Sequence, residues 1–593
     1  MQYRFWCVGA VLLMALASPV RAQVTIPQEY DKLIKKNGEI AAFGAEGFGD
    51  KVDLNSGSLQ IVQVDVDLPG NNALPVRVAR RFATGDRFAS GHFGAWNLDI
   101  PYAHGVFANH VNNPKGWTVG AALAADVYKR CSQYGAPPTL WFQGGEFQPD
   151  EYWQGNFLHM PGAGDEEMLV PGSSAHVPTD GNTYSVVTKG GAAMRCVALA
   201  STSEAGSQGE GFEVVMPDGT VYTLNQMVSR LNEVISKPVD QFALRAGSGK
   251  NGIIVTPQAA TTFTLARNEV LMYPTKATDR FGNTVTYTWS ATNPWQLLQI
   301  TASDGRQLTL TYMSSTSKMV STVTDGSRTW TYTNPPEGDT VTLPDGSKWI
   351  SNLSSLFNLK INTIGSGCDT AGDYSGPPPV LTGTVQAPTG ALATFTMQPV
   401  LMGRSWVGRS CVYYQSQPIY ALEPIGYFTL AVLGKKITGP GLPAAGLSWS
   451  YDYGSPNMCW ASACTVSSPT TRTTTLTDPD GAVNRYSFSN RFQANEGQLV
   501  KTESGWDGTT ALRTVDTTLA DATAAPYGSY NGESPRSRGD TMSSSYKSPQ
   551  RKVVTTQQGR IFTWEVATGC VGMPYCFDAY ARPTKVVKTT STP

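Results

Sequence analysis

Apolar and polar residues alternate along most of this chain. Leu59-Gln60-Ile61-Val62-Gln63-Val64-Asp65-Val66-Asp67-Leu68 alternates with a single slip near Val62, and Leu74-Pro75-Val76-Arg77-Val78-Ala79-Arg80-Arg81-Phe82 alternates again. Side chains of a strand point to opposite faces in turn, so each run predicts a strand with one buried face. Gly70-Asn71-Asn72 supplies the turn between them. The best helical period in the mature chain falls at residues 28–36. There Pro27 stands at a first helical position, and Tyr30, Leu33 and Ile34 share a face.

From Phe212 onward the alternation is punctuated by aspartate-glycine pairs, which suit tight turns that need positive φ. They are Asp218-Gly219, Asp304-Gly305, Asp325-Gly326, Asp345-Gly346 and Asp480-Gly481, with Asp279-Arg280-Phe281-Gly282 in the same slot. Gly282, Gly305, Gly326 and Gly346 lie 23, 21 and 20 residues apart, an internal repeat. Large apolar residues follow each glycine at offsets three, five and seven: Val285, Tyr287 and Trp289, then Leu308, Leu310 and Tyr312, then Tyr486 and Phe488 after Asn484. Tyr222 and Trp349 occupy the first of these offsets after Gly219 and Gly346. After Gly326 the rings, Trp330 and Tyr332, come one residue late, which an extra turn residue or a bulge would correct. Each unit therefore predicts strand, turn, strand, with rings aimed one way and Thr or Ser on the other face.

The expected class is all-β: an N-terminal β-rich domain, a repeat ribbon or partial shell, and an irregular insertion. The boundaries are 1–22, 23–205, 206–350, 351–446 and 447–593. Residues 90–200 read as short strands and long loops, and 201–211 as a Ser/Gly/Glu-rich boundary. The insertion 351–446 carries the extended Gly376-Pro377-Pro378-Pro379. The repeat resumes at Leu447-Ser448-Trp449-Ser450-Tyr451-Asp452-Tyr453, and 520–549 reads as loop.

Composition adds a compartment. Arg4, the apolar run Phe5 to Ala17 and Val20-Arg21-Ala22 predict a signal peptide cleaved after Ala22. No small-residue lipobox precedes Cys7. Cleavage removes Arg4 and Arg21 and no acid, moving the net charge from −1 to −3. No later stretch is long and apolar enough to span a bilayer. Eight cysteines remain, an even number that suits disulfides in an exported chain. Proximity suggests Cys459–Cys464 and Cys570–Cys576, then Cys368–Cys411 and Cys131–Cys196. The absence of a Cys-x-x-Cys knuckle argues against zinc. Charged residues make up only 15% and nearly balance, which argues against a nucleic-acid partner. Aromatics at 10% argue against disorder.

The units Thr278–Trp289, Ile300–Tyr312, Val320–Tyr332 and Leu476–Phe488, with the opening element Phe212–Tyr222, resemble the RHS/YD-repeat family. The stretch Gly49–Gly57 through Leu74–Phe82 is similar to the segment that precedes such repeats in bacterial members. The resemblance covers under half of the chain. It implies a β-sheet ribbon winding into a shell that encloses a toxin or presents a surface to other cells. The family's terminal core motif with its aspartate-based self-cleavage site is not visible here. The expectation is an exported, non-enzymatic scaffold in the periplasm, at the cell surface or outside the cell, of the kind the resemblance associates with contact-dependent toxin systems, its partner a downstream repeat or toxin segment.

Two other readings stay open. One is a carbohydrate-binding adhesin that uses residues 90–200 or the repeat rings, with a cell-surface glycan as partner. The other is a hydrolase hosted in 90–200. His92, His104, His110, His159 and His176 all fall there and read as loop or core residues. No nucleophile elbow, phosphate loop or zinc helix is found, so no catalytic residue, cofactor or metal is expected. Asp478-Pro479-Asp480-Gly481 reads as a turn rather than a calcium loop, because Ser489 stands where a bidentate acid is needed. Asp65 and Asp67 share a strand face, a weak surface-cation pattern, and Arg538-Gly539-Asp540 reads as chance.

Overall fold

A computed structural model describes residues 23–25, 47–85, 91–109, 115–120, 126–142, 145–173, 175–200, 204–239, 261–357, 363–364, 368, 373–374, 377–414, 417–520, 531–537 and 544–591. The expected helix at 28–36, the leader, His110 and Arg538-Gly539-Asp540 lie outside the described residues. Strand accounts for 52% and helix for 2%, so the all-β class read from the alternation holds.

Eight antiparallel strands close into a barrel: Tyr102–Ala108, Asn156–Met160, Gly164–Pro171, Val186–Thr188, Ala193–Ala198, Glu210–Val215, Val221–Val239 and Thr261–Thr278. The last strand is shared. Its Arg267–Met272 part pairs with Tyr102–Ala108 and closes the barrel, while Lys276–Thr278 pairs with Thr284–Trp289 and opens a ribbon. From there consecutive antiparallel strands run through to Val586–Ser591. Within 351–446, Leu381–Gln386, Leu392–Gly403 and Gly426–Thr438 are strands of this ribbon, and the hairpin Cys411–Tyr414 with Gln417–Ala421 stands apart from it.

A four-stranded sheet of Asp50–Val52, Leu59–Asp67, Arg77–Ala83 and Asn97–Leu98 sits against the inner face of the ribbon as a plug. Its Leu59, Ile61, Val76, Val78, Phe82 and Trp96 share one core with ribbon residues from Val285 to Phe488. A second core, with Trp117, Phe147, Trp153 and Phe212, fills the barrel. The shared strand is the wall between the two. Val270 and Met272 face the barrel interior, and Leu271 and Tyr273 face the plug, as period-two alternation requires.

Polar contacts fix the plug in register. The Val432 amide donates to the Gly57 carbonyl, the Val320 amide to the His92 carbonyl, and Thr474 Oγ1 to the Leu54 carbonyl. Lys435 Nζ lies 2.5 Å from Asp50 Oδ2, with both groups buried. A register shift between Val64 and Val66 turns Asp65 inward onto Arg80, whose Nε lies 2.6 Å from Asp65 Oδ2, while Asp67 stays exposed. The two acids therefore do not form a cation site. Tyr332 donates to the same Asp65 carboxylate.

The ribbon also returns to the barrel. Gly532–Glu533 pairs with Val170–Pro171. Arg536 donates through Nε and Nη2 to both oxygens of Glu167 in a fully buried pair. Buried ion pairs of this kind cost desolvation and repay it through bidentate geometry, so they fix position more than they add stability.

Gly57 is a close approach of plug to ribbon. It has φ +75, and an added Cβ would lie 2.3 Å from Ala431 Cβ. Gly57→Ala is expected to lower stability by about 2 kcal/mol. Thermal unfolding will show this, together with faster tryptic cleavage within 48–100.

Candidate functional site

The aspartate-glycine turns are one local structure used repeatedly. At Gly219, Gly282, Gly305, Gly346 and Gly481 the glycine amide donates to the carbonyl three residues back, and the glycine has φ between 84 and 91. This is a type I turn followed by a left-handed residue, the usual three-residue hairpin connection. The aspartate has its own task. Asp218, Asp304, Asp345 and Asp480 each accept the amide two residues on, at 2.8 to 3.2 Å. Asp279 does the same from the start of its turn, taking the amides of Phe281 and Asn283. Hydrogen bonds to the charged form hold the carboxyls of Asp279, Asp304 and Asp345 below the ordinary carboxylate range. At Asp325-Gly326 the outgoing strand starts three residues after the glycine instead of two, and Trp330 and Tyr332 still reach the core.

The rings these turns position converge. Tyr287, Trp330, Tyr332, Tyr486 and Phe488 are buried members of the plug core, and Tyr222, Trp289, Tyr312 and Trp349 pack against it. Trp349 meets the plug ring Phe48 edge-on. Polar ends of the rings find partners: Trp289 Nε1 donates to the Pro274 carbonyl and Tyr312 Oη to the Leu297 carbonyl. The inner face of the ribbon is thus a binding surface, and its occupant is the chain's own residues 48–85 and 91–100.

A second constellation lies where plug meets barrel wall. His159 Nδ1 is 2.7 Å from Asp165 Oδ1, and its Nε2 is 3.2 Å from Asp99 Oδ1. His104 Nδ1 is 3.1 Å from Glu269 Oε1, and its Nε2 is 3.4 Å from Asp165 Oδ2. Arg230 continues the chain, donating through Nε to Glu269 and through Nη1 to Asn97. Tyr102 stacks on His159 with ring centroids 4.6 Å apart. Asn97 and Asp99 come from the plug and its exit, and the other members from barrel strands. Arg230 and His104 offset the desolvation of Glu269 and hold its carboxyl far below the usual range. The alternating acids and imidazoles clasp plug to barrel. Sequence spacing gave no sign of it, because its members span residues 97–269.

The other described histidines do different things. His92 is buried among Phe93, Tyr273 and Trp295, and burial pushes its imidazole down to about 3. His176 stacks on Tyr580 and contacts the Ala579 carbonyl, a further tie between barrel loop and distal chain. Among the described residues no group of three or more His, Cys, Asp or Glu is placed to hold a metal ion, and no helix is long and apolar enough to cross a membrane.

All eight cysteines pair as proximity suggested. Cys131–Cys196, Cys368–Cys411, Cys459–Cys464 and Cys570–Cys576 have Cα separations of 5.4, 5.4, 5.6 and 5.3 Å. Four disulfides suit an oxidising, exported environment.

Two acid-linked losses follow. His92 has a folded pKa below its ordinary 6.5, so the unfolded chain binds the extra proton as pH falls from 6.5 toward 3. Stability is lost over that window by up to about 5 kcal/mol. Glu269 is depressed below 4.5, so its contribution is present above that pH and fades below it. Denaturant titrations at stepped pH are expected to show both slopes, with His92→Phe flattening the first and leaving the second. Asp345→Ala, which removes a turn acceptor, is expected to lower the denaturation midpoint slightly in the same assay.

Comparison with protein-family models and with curated proteins gives no match.

Proposed function

We propose that this chain is an exported, non-enzymatic scaffold of the RHS/YD-repeat type, carried past a membrane by the leader 1–22. The observation that carries the reading is the shared inner face. Phased glycine turns set rings at Tyr287, Tyr312, Trp330, Tyr332 and Tyr486, and all of them pack on one core around an N-terminal plug. A sheet ribbon with one apolar face is stable only when that face is covered, and here it wraps its own segment. The four disulfides agree with life outside the reducing cytoplasm. In this reading the Thr- and Ser-rich outer face is the surface offered to other molecules, and a downstream repeat or toxin segment is its partner.

The rings also separate this reading from the adhesin that would stack sugars on them. Trp330 is buried with the plug core, so Trp330→Ala is expected to cost about 3–5 kcal/mol. An unchanged melting temperature with glycan-array binding abolished would show the ring to be a ligand platform and overturn the scaffold reading. Export is tested on the secreted protein, whose N-terminal residue is expected to be Gln23. Retention of the chain inside the cell with its leader intact would sink that part.

A further inference from the structure

The hairpin Leu140–Phe142 with Gly145–Phe147 has two unlike faces. Leu140 and Phe147, opposite each other, are buried in the barrel core. Trp141 pairs with Glu146 on the other face and is 71% exposed, an uncommon position for so large an apolar ring. The same face carries Thr139 and Gln148, one step further along. Thr139 Oγ1 donates to Gln148 Oε1 at 3.1 Å, and Gln148 Nε2 donates to Glu146 Oε1. A hydroxyl, an amide and a carboxylate are therefore held in a row beside an indole.

The mount is rigid. Helix Pro149–Tyr152 follows directly, with Glu151 Oε2 accepting the Gln148 amide and Tyr152 Oη donating to the Pro138 carbonyl. A second hairpin, Cys411–Tyr414 with Gln417–Ala421, is tied to the same helix through Tyr420 Oη and Glu151 Oε1, 3.0 Å apart. Its Tyr413 is also exposed, and the Cys368–Cys411 disulfide anchors it. Two solvent-facing aromatic residues are thus carried on hairpins tied to the helix Pro149–Tyr152.

We propose that this hairpin face is a carbohydrate-binding platform, with Trp141 as the stacking ring. The chemistry selects sugars with equatorial hydroxyls. Their pyranose faces present a flat row of C–H groups to the indole, and their rim hydroxyls suit acceptors and donors that are already ordered. Order in the row lowers the entropy cost of binding. A carboxylate beside the ring argues against anionic glycans, which it would repel. Tyr413 offers a second stacking surface for a linear chain. This site lies apart from the plug core, so it stands or falls independently of the scaffold reading.

Cellohexaose and chitohexaose are the probes, titrated against the full chain by tryptophan fluorescence and calorimetry. The wild-type protein is expected to bind at least one of them saturably. Trp141→Ala is expected to weaken that binding by about ten-fold or more, Trp141→Tyr to retain most of it, and Tyr413→Ala to weaken it less. Melting temperatures of all three variants are expected to match wild type, because both side chains are exposed. Absence of binding to both hexasaccharides, or binding that Trp141→Ala leaves intact, overturns the proposal.

Discussion

A β-ribbon with rings on one face is unstable as an isolated object, and the cover it receives decides everything else about this molecule. Burying an aromatic or branched aliphatic side chain is worth about 1.5–3 kcal/mol, and the ribbon presents such residues on strand after strand. Residues 48–85 and 91–100 supply the cover. Their own sheet is small, and its apolar side would be wet without the ribbon. Each half is therefore the other's core, so neither can be regarded as an accessory to the other.

Registration follows from the same dependence. Apolar contact forbids a slide of one residue, which inverts the sheet face, but tolerates a slide of two, which keeps the same face inward. The buried polar contacts remove that freedom. Asp65 meets both Arg80 and Tyr332, Asp50 meets Lys435, and the imidazole–carboxylate chain fastens the plug's exit to the barrel. Unmade, each would leave a charge or dipole stranded in apolar surroundings, so misplacement is penalised. The glycine turns serve the same end locally by fixing which residues of a hairpin face inward.

Much of this architecture can be read from the residues. The alternation identifies strands, five aspartate-glycine pairs and the related Asp279–Gly282 turn locate six hairpins, and short spacings pair Cys459 with Cys464 and Cys570 with Cys576. The turn Ala387-Pro388-Thr389-Gly390 has the same hydrogen bonds and a glycine at φ +84, and it escapes the pattern because threonine replaces aspartate. Barrel closure is not legible, because Tyr102–Ala108 and Thr261–Thr278 meet across more than 150 residues without a local signal. The clasp of His104 and His159 is hidden for the same reason. Periodicity reports which face a residue shares with its neighbours, and it is silent on what lies against that face.

The distance along the chain between plug and cover has a kinetic meaning. Lys435 finds Asp50 across 385 residues, and Thr474 finds Leu54 across 420. The plug is synthesised first and must wait, half-wet, until most of the ribbon has emerged. Long-range pairings of this kind fold slowly and leave sticky intermediates exposed. Assembly is thus a wrapping process with a template at one end, and a chaperone that shields the early sheet would govern yield more than any single late contact.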